Sequence, residues 1–397
     1  MISTSGSDTE DVLSPAPTDN RPEEAGRRGW EAREHGAETA AQPSWRGRAW
    51  VGLLYPEEVL AIALVAVTVL VNLVVHRTLN ADILFATVNT YRAIFRVHLH
   101  EFFRALRYFA TAYVAWEFLR FLAGRPVHFL AWRRTGKLRV LLRALPTYFL
   151  CGAAFGNLWS FIHLLSPIDR DDWLIAADRA LFLGHDPIKL LEPLVTPTGV
   201  TVGLRVYLSL YLVPWFAMLV LLADDRVREF RDTLLSWWLA LAIGWIGYLL
   251  VPAIGPQYTL RHTYVRPVFD VERILEQRGM EYLDRATFPS LHTAFSVTVL
   301  ILIWRYTTSW SYRIAFTVWV TGIVFTTMYL RFHYVVDVIA GVGLALLCAQ
   351  LGPRINDWYD GSQRITGAQA LAASAQGGQR VPKTSDRPTE GSRTSER

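Results

Sequence analysis

Two short segments of the sequence carry side chains that could act on a phosphate ester. The first contains Ser290 and His292, and the second contains His333 and Asp337. Because His333 and Asp337 are four positions apart, a helix would place them on one face, with the aspartate leaning back toward the histidine. A carboxylate in that position can hold one imidazole N–H and leave the other ring nitrogen with a free lone pair. The spacing therefore predicts that His333 is a nucleophile oriented by Asp337.

The other polar groups near these segments suit the remaining steps of such a reaction. His292 would be the protonated partner, which gives its proton to the leaving oxygen and later takes one from the acceptor. Ser290 and the free backbone N–H groups at the start of its helix would form an anion site. Arg266 and Arg331 could add forked hydrogen-bond donors to the phosphate. Alternatives stay open for both: Arg331 could be an interfacial anchor, and Arg266 with Pro267 could form an ordinary loop corner.

The composition places these residues in a membrane protein. Of 397 residues, 52% are hydrophobic and only 19% are charged, which is unusual for a soluble chain. A helical span needs about 20 mostly apolar residues. A further segment, 84–103, has an amphipathic pattern that is typical of a helix in the interface. The fold class predicted is an all-α, polytopic bundle of about eight transmembrane helices, at 60–75, 105–123, 140–165, 202–223, 233–251, 291–304, 314–330 and 335–351.

The order of these helices brings the two polar segments together. The sixth helix leaves one membrane face, the seventh returns to it, and the eighth leaves again, so His292 and His333 begin helices on the same side. Ionisable residues at membrane depth are costly and are functional by default. A purely structural role would require two unrelated polar helix starts to meet by chance. Packing or interfacial roles are expected instead for the isolated histidines, which are His76, His98, His100, His128, His163 and His185.

The distribution of basic residues predicts an orientation. The loop 124–143 is rich in Arg and Lys and contains no acidic residue, so it should be cytoplasmic. Counting helices from it places both tails in the cytoplasm, and it places the long loops 166–201 and 252–288 outside. The predicted location is the cell membrane, with the active site on the extracytoplasmic face. The loop 77–104 fits this scheme less well, because it would lie outside although it holds several arginines.

Other features of the chain exclude several classes of protein. The net charge of +5 comes from clusters between apolar stretches and in the tails, and no basic and aromatic stripe suggests nucleic acid. Cys151 and Cys348 both lie in apolar segments, so neither a disulfide nor a zinc site is indicated, and no cofactor is predicted. The predicted organisation is a disordered tail at 1–48, membrane helices at 49–139, a catalytic membrane core at 140–352 and a disordered tail at 353–397.

At these motifs the sequence resembles the type-2 phosphatidic acid phosphatase superfamily. Its three signatures are a lysine followed by Arg-Pro, then Pro-Ser-Gly-His, and then Ser-Arg followed by His-x-x-x-Asp. Pro289, Ser290 and His292 match the second signature, and His333 and Asp337 match the end of the third. The resemblance implies a six-helix core, drawn here mainly from residue 140 onward, and a metal-free reaction through a phosphohistidine. It covers roughly residues 141–351.

The chain departs from the family pattern at several positions. Leu291 replaces the glycine of the second signature, Thr259 stands where the first signature has lysine, and Thr326 and Thr327 stand in place of Ser-Arg. Arg331 could compensate for the missing cations. The segments 244–256, 288–295 and 328–341 look more like the branch that contains inositol phosphorylceramide synthase, which transfers a phospho-headgroup to an alcohol.

The functional hypothesis is a phosphotransferase or phosphatase acting on a membrane lipid phosphoester. Either water or an alcohol, such as inositol or a sugar, would resolve the phosphohistidine. A plain lipid phosphate or polyprenyl pyrophosphate phosphatase is the first alternative. A non-catalytic lipid-binding protein is the second, and a haem or metal protein is a weaker third, because a carboxylate and a serine neighbour the histidines where further metal ligands would be needed.

Overall fold

A computed structural model describes residues 54–76, scattered positions between 100 and 122, and residues 137–224, 226–278 and 285–377. Every regular element in these residues is helical, so the predicted all-α class is confirmed for the part described. The helices of eight or more residues are α1 (Pro56–His76), α2 (Lys137–Ser160), α3 (Asp171–Leu181), α4 (Pro197–Leu208), α5 (Val213–Ala223), α6 (Val227–Leu250), α7 (Val271–Arg278), α8 (Leu291–Tyr306), α9 (Trp310–Tyr329) and α10 (Val335–Gly377). Shorter helical turns occur at Ile162–Leu165, Pro187–Leu190, Glu192–Leu194, Ser209–Tyr211, Pro256–Thr259 and Arg261–Thr263.

Several of the helices have the length and composition needed to cross a membrane. Among the described residues these are Pro56–Val74, Val227–Leu250 and Val335–Gly361, and a bent pair formed by α4 and α5 adds a fourth candidate. α8 is a shorter apolar helix of 16 residues. The chain is therefore a multi-pass helical membrane protein, while the predicted number of eight spans stays a prediction.

Most of the predicted spans correspond to helices, but one of them is broken. The predicted span 202–223 is broken into α4 and α5, which meet at an angle of 48°. Pro214 lies in the first turn of α5, where its missing N–H interrupts the helical hydrogen bonding. In the predicted span 105–123 every described residue is helical. Residues 84–99 of the predicted amphipathic segment 84–103 lie outside the described residues, as does the tail 1–48.

The last helix is longer than predicted. α10 passes through Pro353 and continues to Gly377, so the first part of the predicted C-terminal tail is helical, and residues 378–397 lie outside the described residues. The polar residues in this extension have partners on α6. Arg228 bonds to the Asp357 carboxylate at 2.8 Å and also to Asp360. The composition of this segment is typical of a solvated tail, but its charges stabilise a contact between helices.

A polar cluster joins four helices at the end of the bundle where α8 finishes. Buried Asp232 accepts hydrogen bonds from Arg228 at 3.0 Å, from Tyr306 at 2.8 Å and from Asn356 at 2.8 Å. Nearby, Arg231 of α6 bonds to Glu57 of α1 at 2.9 Å. Since α8 begins with His292 and ends beside this cluster, the cluster and the histidines lie at opposite ends of α8.

The core of the bundle consists of α6, α8 and α10 packed against one another. The largely buried α5 packs against both α6 and α8, α9 packs against α8, and α1 and α2 lie beside α6. Small residues allow the close approach of these helices. A Cβ added to Gly341 of α10 would lie 2.5 Å from the Ser290 carbonyl oxygen and 2.9 Å from Thr293 Cβ. Gly341 therefore sets the separation between the starts of α8 and α10.

Gly341→Ala is expected to destabilise the protein by about 1–3 kcal/mol, because the added methyl group has no room between α8 and α10. Gly343→Ala on the same helix is the matched control, since a Cβ added there has no neighbouring atom within 4 Å. Thermal unfolding in detergent should show a lower midpoint for Gly341→Ala and an unchanged or higher midpoint for Gly343→Ala. Equal midpoints for the two variants would contradict the assigned close contact.

Candidate active site

The two histidine-bearing segments meet at the starts of α8 and α10. Ser290 is the N-cap of α8 and is fully buried, and its hydroxyl accepts hydrogen bonds from the Thr293 backbone N–H at 3.3 Å and the Thr293 hydroxyl at 3.1 Å. The Ser290 backbone N–H donates to the Asp337 carbonyl oxygen at 3.1 Å. This backbone bond fixes the start of α8 against the first turn of α10.

His333 and Asp337 are both buried and face each other. The distance from His333 Nδ1 to Asp337 Oδ2 is 3.5 Å, slightly longer than an ordinary hydrogen bond. Asp337 Oδ2 also accepts the Tyr334 backbone N–H at 2.9 Å. Neither His333 Nδ1 nor Asp337 Oδ1 has another hydrogen-bond partner among the described residues. The predicted pairing of these side chains is thus present as a close contact across one turn.

The burial of His333 determines its protonation. Burial lowers the pKa of His333 to about 4. A hydrogen bond to the Thr287 backbone opposes this shift only in part. A pKa that is lower than the usual value of about 6.5 keeps the imidazole neutral near pH 7. A neutral imidazole has the lone pair that a nucleophile requires.

His292 lies on the other side of the same space. The His292 and His333 ring centroids are 6.1 Å apart. The Tyr207 hydroxyl is 3.2 Å from His292 Nδ1, and the two rings stack with their centroids 4.0 Å apart. His292 Nε2 has no hydrogen-bond partner among the described residues. Tyr207 therefore occupies one ring nitrogen and leaves the other available to a substrate.

Both histidines line a cavity of about 320 Å³, which we call the histidine cavity. Its walls are mostly aromatic and come from α2, α4, α6 and α8, and no Lys or Arg is among the described residues that line it. Aromatic and aliphatic walls of this kind suit the apolar part of a lipid. The aromatic side chains are Phe155, Trp159, Tyr207, Tyr211, Trp237, Trp238, Tyr248, Tyr258, Phe295 and Phe332.

Arg266 and Arg331 are not brought to this cavity. The Arg331 guanidinium contacts Glu192 Oε1 at 3.4 Å and stacks over the Tyr264 ring, 3.7 Å from its centroid. The Arg266 backbone N–H donates to the same Glu192 oxygen at 2.7 Å, and its side chain donates to the Pro193 carbonyl at 2.9 Å. Glu192 thus accepts hydrogen bonds from both arginines. Their role in phosphate binding stays a prediction.

Two aspartates that sequence reasoning did not single out hold the residues that follow His333 in place. Asp178 accepts the backbone N–H groups of Val335 at 3.0 Å and Val336 at 2.8 Å, so it caps the start of α10. Asp171 accepts the Tyr334 hydroxyl at 2.8 Å. Burial raises the pKa of both carboxyls, although these hydrogen bonds act in the opposite direction. Side chains of α3 therefore hold the residues that follow His333 through hydrogen bonds.

A sequence signal for these aspartates does exist. Asp171, Leu174 and Asp178 have the i, i+3, i+7 spacing of one helix face, and all three are buried. Acidic residues on the buried face of an amphipathic helix require partners. The pattern would have indicated that α3 packs against hydrogen-bond donors, but not which donors these are.

The threonines that replace the family's cations have structural contacts. The Thr259 hydroxyl is 2.7 Å from the Tyr334 hydroxyl. The Thr327 carbonyl accepts the backbone N–H groups of Phe332 at 3.0 Å and His333 at 3.2 Å. Within the described part of the chain, no group of three or more His, Cys, Asp or Glu side chains could hold a metal ion.

Comparison with known proteins agrees with this architecture. Residues 172–351 match the family model described as the PAP2 superfamily. The matched part contains both histidine segments, Asp178 and most of the wall of the histidine cavity. The resemblance to this superfamily that the motifs indicated is therefore confirmed for residues 172–351.

One curated relative has a more specific name. The chain is 28% identical over 148 residues to the phosphoinositol dihydroceramide synthase of Bacteroides thetaiotaomicron, and the match covers 33% of this chain and 48% of the relative. The chain thus spans about half the length of that relative. No solved structure matches the chain.

Proposed function

We propose that the protein is a lipid phosphotransferase or phosphatase that acts through a phosphohistidine on His333. The observation that carries this proposal is the pair of histidines, 6.1 Å apart, in one aromatic cavity, with a carboxylate behind the first. A phosphoryl group between the two rings could be attacked from one side and lose its alcohol on the other. The name of the curated relative favours headgroup transfer over plain hydrolysis.

The first half of the reaction uses both histidines. His333 Nε2, the ring nitrogen remote from Asp337, attacks phosphorus and forms the P–N bond. The P–O bond to the lipid alcohol breaks, and His292, which enters this step as the imidazolium, gives its Nε2 proton to the leaving oxygen and becomes neutral. The proton on His333 Nδ1 stays beside Asp337, which stabilises the positive charge that develops on the ring. The start of α8 faces the phosphoryl oxygens with its positive dipole end.

The second half reverses these roles. The oxygen of the acceptor, water or an alcohol, attacks phosphorus while its proton goes to neutral His292, and the P–N bond breaks to regenerate His333. Water gives a phosphatase and an alcohol gives a transferase. The proposed location of this site is the extracytoplasmic face of the cell membrane, as the basic loop 124–143 favours.

Trapping of the phosphoenzyme tests the proposal. Purified protein is incubated with ³²P-labelled phosphatidic acid, phosphatidylinositol and polyprenyl phosphates, with and without alcohols, and is quenched in alkali, in which a phosphoramidate survives. We expect label on the protein that is released by acid. Absence of both label and turnover with every lipid would overturn the proposed function.

The pH dependence of label formation follows from the burial of His333. Because its pKa is lowered to about 4, the imidazole should remain neutral and nucleophilic from pH 7 down to about 5. The rate of labelling should then fall as the pH passes through about 4, where the ring becomes protonated. An aryl phosphate is the appropriate substrate, since its leaving group needs no proton from His292. A half-maximal rate near pH 6.5 would indicate an ordinary, solvated histidine.

A further inference from the structure

The histidine cavity would have to hold an anionic phosphoryl group without a Lys or Arg among its described lining residues. Neutral hydroxyl groups line it, and they belong to Tyr207, Tyr211, Tyr248, Tyr258 and Thr287. The Tyr207 hydroxyl already contacts His292. The tyrosine placed against the start of α8, where the phosphoryl group is proposed to bind, is Tyr248.

Two glycines of α6 bring this helix close to the start of α8. A Cβ added to Gly244 would overlap the Leu291 side chain, and a Cβ added to Gly247 would overlap the Pro289 ring. The lack of a side chain at both positions therefore allows α6 to approach residues 289–291. Tyr248 directly follows Gly247 and lies one turn after Gly244, so α6 presents it beside the first turn of α8.

The Tyr248 side chain is fixed at this point by burial and by a hydrogen bond. It is 4% exposed and belongs to the same core cluster as Leu291 and Phe295. The Leu291 backbone N–H, which is the first of α8, donates to the Tyr248 hydroxyl oxygen. Tyr248 also lies near enough to Asp337 for the two side chains to interact electrostatically. The phenol thus adjoins the first turns of both α8 and α10.

A phenol in this position is a suitable donor to an anion. Its oxygen can accept one hydrogen bond while its O–H donates another. The bond from the Leu291 N–H, at the positive end of the α8 dipole, polarises the Tyr248 O–H and strengthens its donation. In phosphoryl transfer the negative charge is spread over the three oxygens that neither attack nor leave. A donor fixed beside such an oxygen in a cavity with aromatic walls stabilises this charge more than it would in water.

We propose that Tyr248 is a catalytic residue whose hydroxyl donates a hydrogen bond to a nonbridging phosphoryl oxygen at the start of α8. This inference rests on the proposed function of the histidine cavity. It assigns to a neutral phenol the stabilisation of charge for which the cavity has no described Lys or Arg. Because only the phosphoryl group is contacted, the role of Tyr248 is the same for every phosphate ester that the cavity accepts.

Tyr248→Phe removes the hydroxyl and keeps the ring. We expect phosphoenzyme formation to slow by about 10- to 100-fold, the cost of losing one hydrogen bond to a charged group. Since the lost bond is to a nonbridging oxygen, the loss should be similar for a lipid phosphate and for an aryl phosphate. Tyr148→Phe is the matched control, because Tyr148 is a buried tyrosine of the same core cluster that does not line the histidine cavity. Its labelling rate should stay close to that of the wild type.

A binding measurement distinguishes contact with phosphate from a structural role of Tyr248. Orthovanadate imitates a phosphoryl group in transfer, whereas diacylglycerol has the chains of a lipid and no phosphate. In Tyr248→Phe the Kd of orthovanadate, measured by calorimetry, should rise about 10- to 100-fold. The Kd of diacylglycerol and the midpoint of thermal unfolding should stay close to those of the wild type.

Equal labelling rates in Tyr248→Phe and wild-type protein would overturn the inference. A loss confined to lipid substrates would also overturn it, since Tyr248 would then act on the leaving group. Parallel weakening of orthovanadate and diacylglycerol binding would indicate a structural role and would have the same consequence.

The fate of the label separates this inference from the proposed function. A phosphoenzyme that forms in Tyr248→Phe at the wild-type rate would leave the phosphohistidine intact and remove the role of Tyr248. Orthovanadate binding that depends on Tyr248, in a protein that forms no phosphoenzyme with any substrate, would support the phosphoryl contact and overturn the phosphohistidine.

Discussion

His333→Ala is expected to abolish the acid-labile phosphoenzyme and to lower turnover on the order of 10,000-fold or more, because the remaining groups can bind and polarise the substrate but cannot form the P–N bond. Alkaline quenching followed by gel autoradiography measures the label. The variant should fold, since His333 is one side chain in a loop held by Asp171 and Asp178 through neighbouring residues. A thermal unfolding curve close to that of the wild type would confirm this.

His185→Ala provides the control for the loss of a histidine, since His185 is exposed and does not line the histidine cavity. It should retain full labelling. Label that persists in His333→Ala would remove the nucleophile assignment, and the residue that carries it could then be identified by peptide mapping. His292, across the cavity at a ring-centroid distance of 6.1 Å, would be the first candidate.

His292→Ala should lower the turnover of natural lipids about 100- to 10,000-fold, the usual cost of losing a general acid and base. His333 remains in this variant, so label should still form, but slowly. The loss should be much smaller for formation of the label from an aryl phosphate, because a phenolate leaves without being protonated. Resolution of the label by water or alcohol should stay slow with either substrate, since this step needs His292 as the base.

The comparison of substrates distinguishes a proton-transfer role from a structural one. If His292 only packs against Tyr207, its removal should slow labelling by the lipid and by the aryl phosphate equally. Tyr207→Phe is the companion variant, since it keeps the ring stacked on His292 and removes the hydroxyl 3.2 Å from Nδ1. A modest loss in this variant, confined to lipid substrates, would support a positioning role for the tyrosine.

The sequence was sufficient to predict that Ser290, His292, His333 and Asp337 lie near one another, because the signals for this are local. The spacing of His333 and Asp337 gives their common helix face, and the alternation of apolar spans places Ser290 and His292 on the same side. The structure has all four residues at two adjacent helix starts. Their catalytic roles are still predictions, which the variants above address.

The surroundings of the site could not be predicted from local patterns. Arg331 has a backbone φ of 62°, in the left-handed region, and it contacts Glu192 and Tyr264 instead of the histidine cavity. No periodicity in the sequence indicates that Glu192 lies beside a residue 139 positions later. The capping of α10 by Asp178 is likewise a contact across 157 positions. Such contacts depend on how the loops pack over the bundle.

The distribution of cavity residues among helices has a consequence for how substrate preference could change in evolution. The groups proposed to react come from α8 and from the loop before α10, and the bond from the Ser290 N–H to the Asp337 carbonyl joins the two segments. The aromatic walls of the histidine cavity come largely from α2, α4 and α6. Replacing Phe155 or Trp159 with a smaller residue would enlarge the space proposed for the lipid chains. The positions of His292 and His333 would stay the same. The lipid that is accepted could then change without a change in the proposed chemistry.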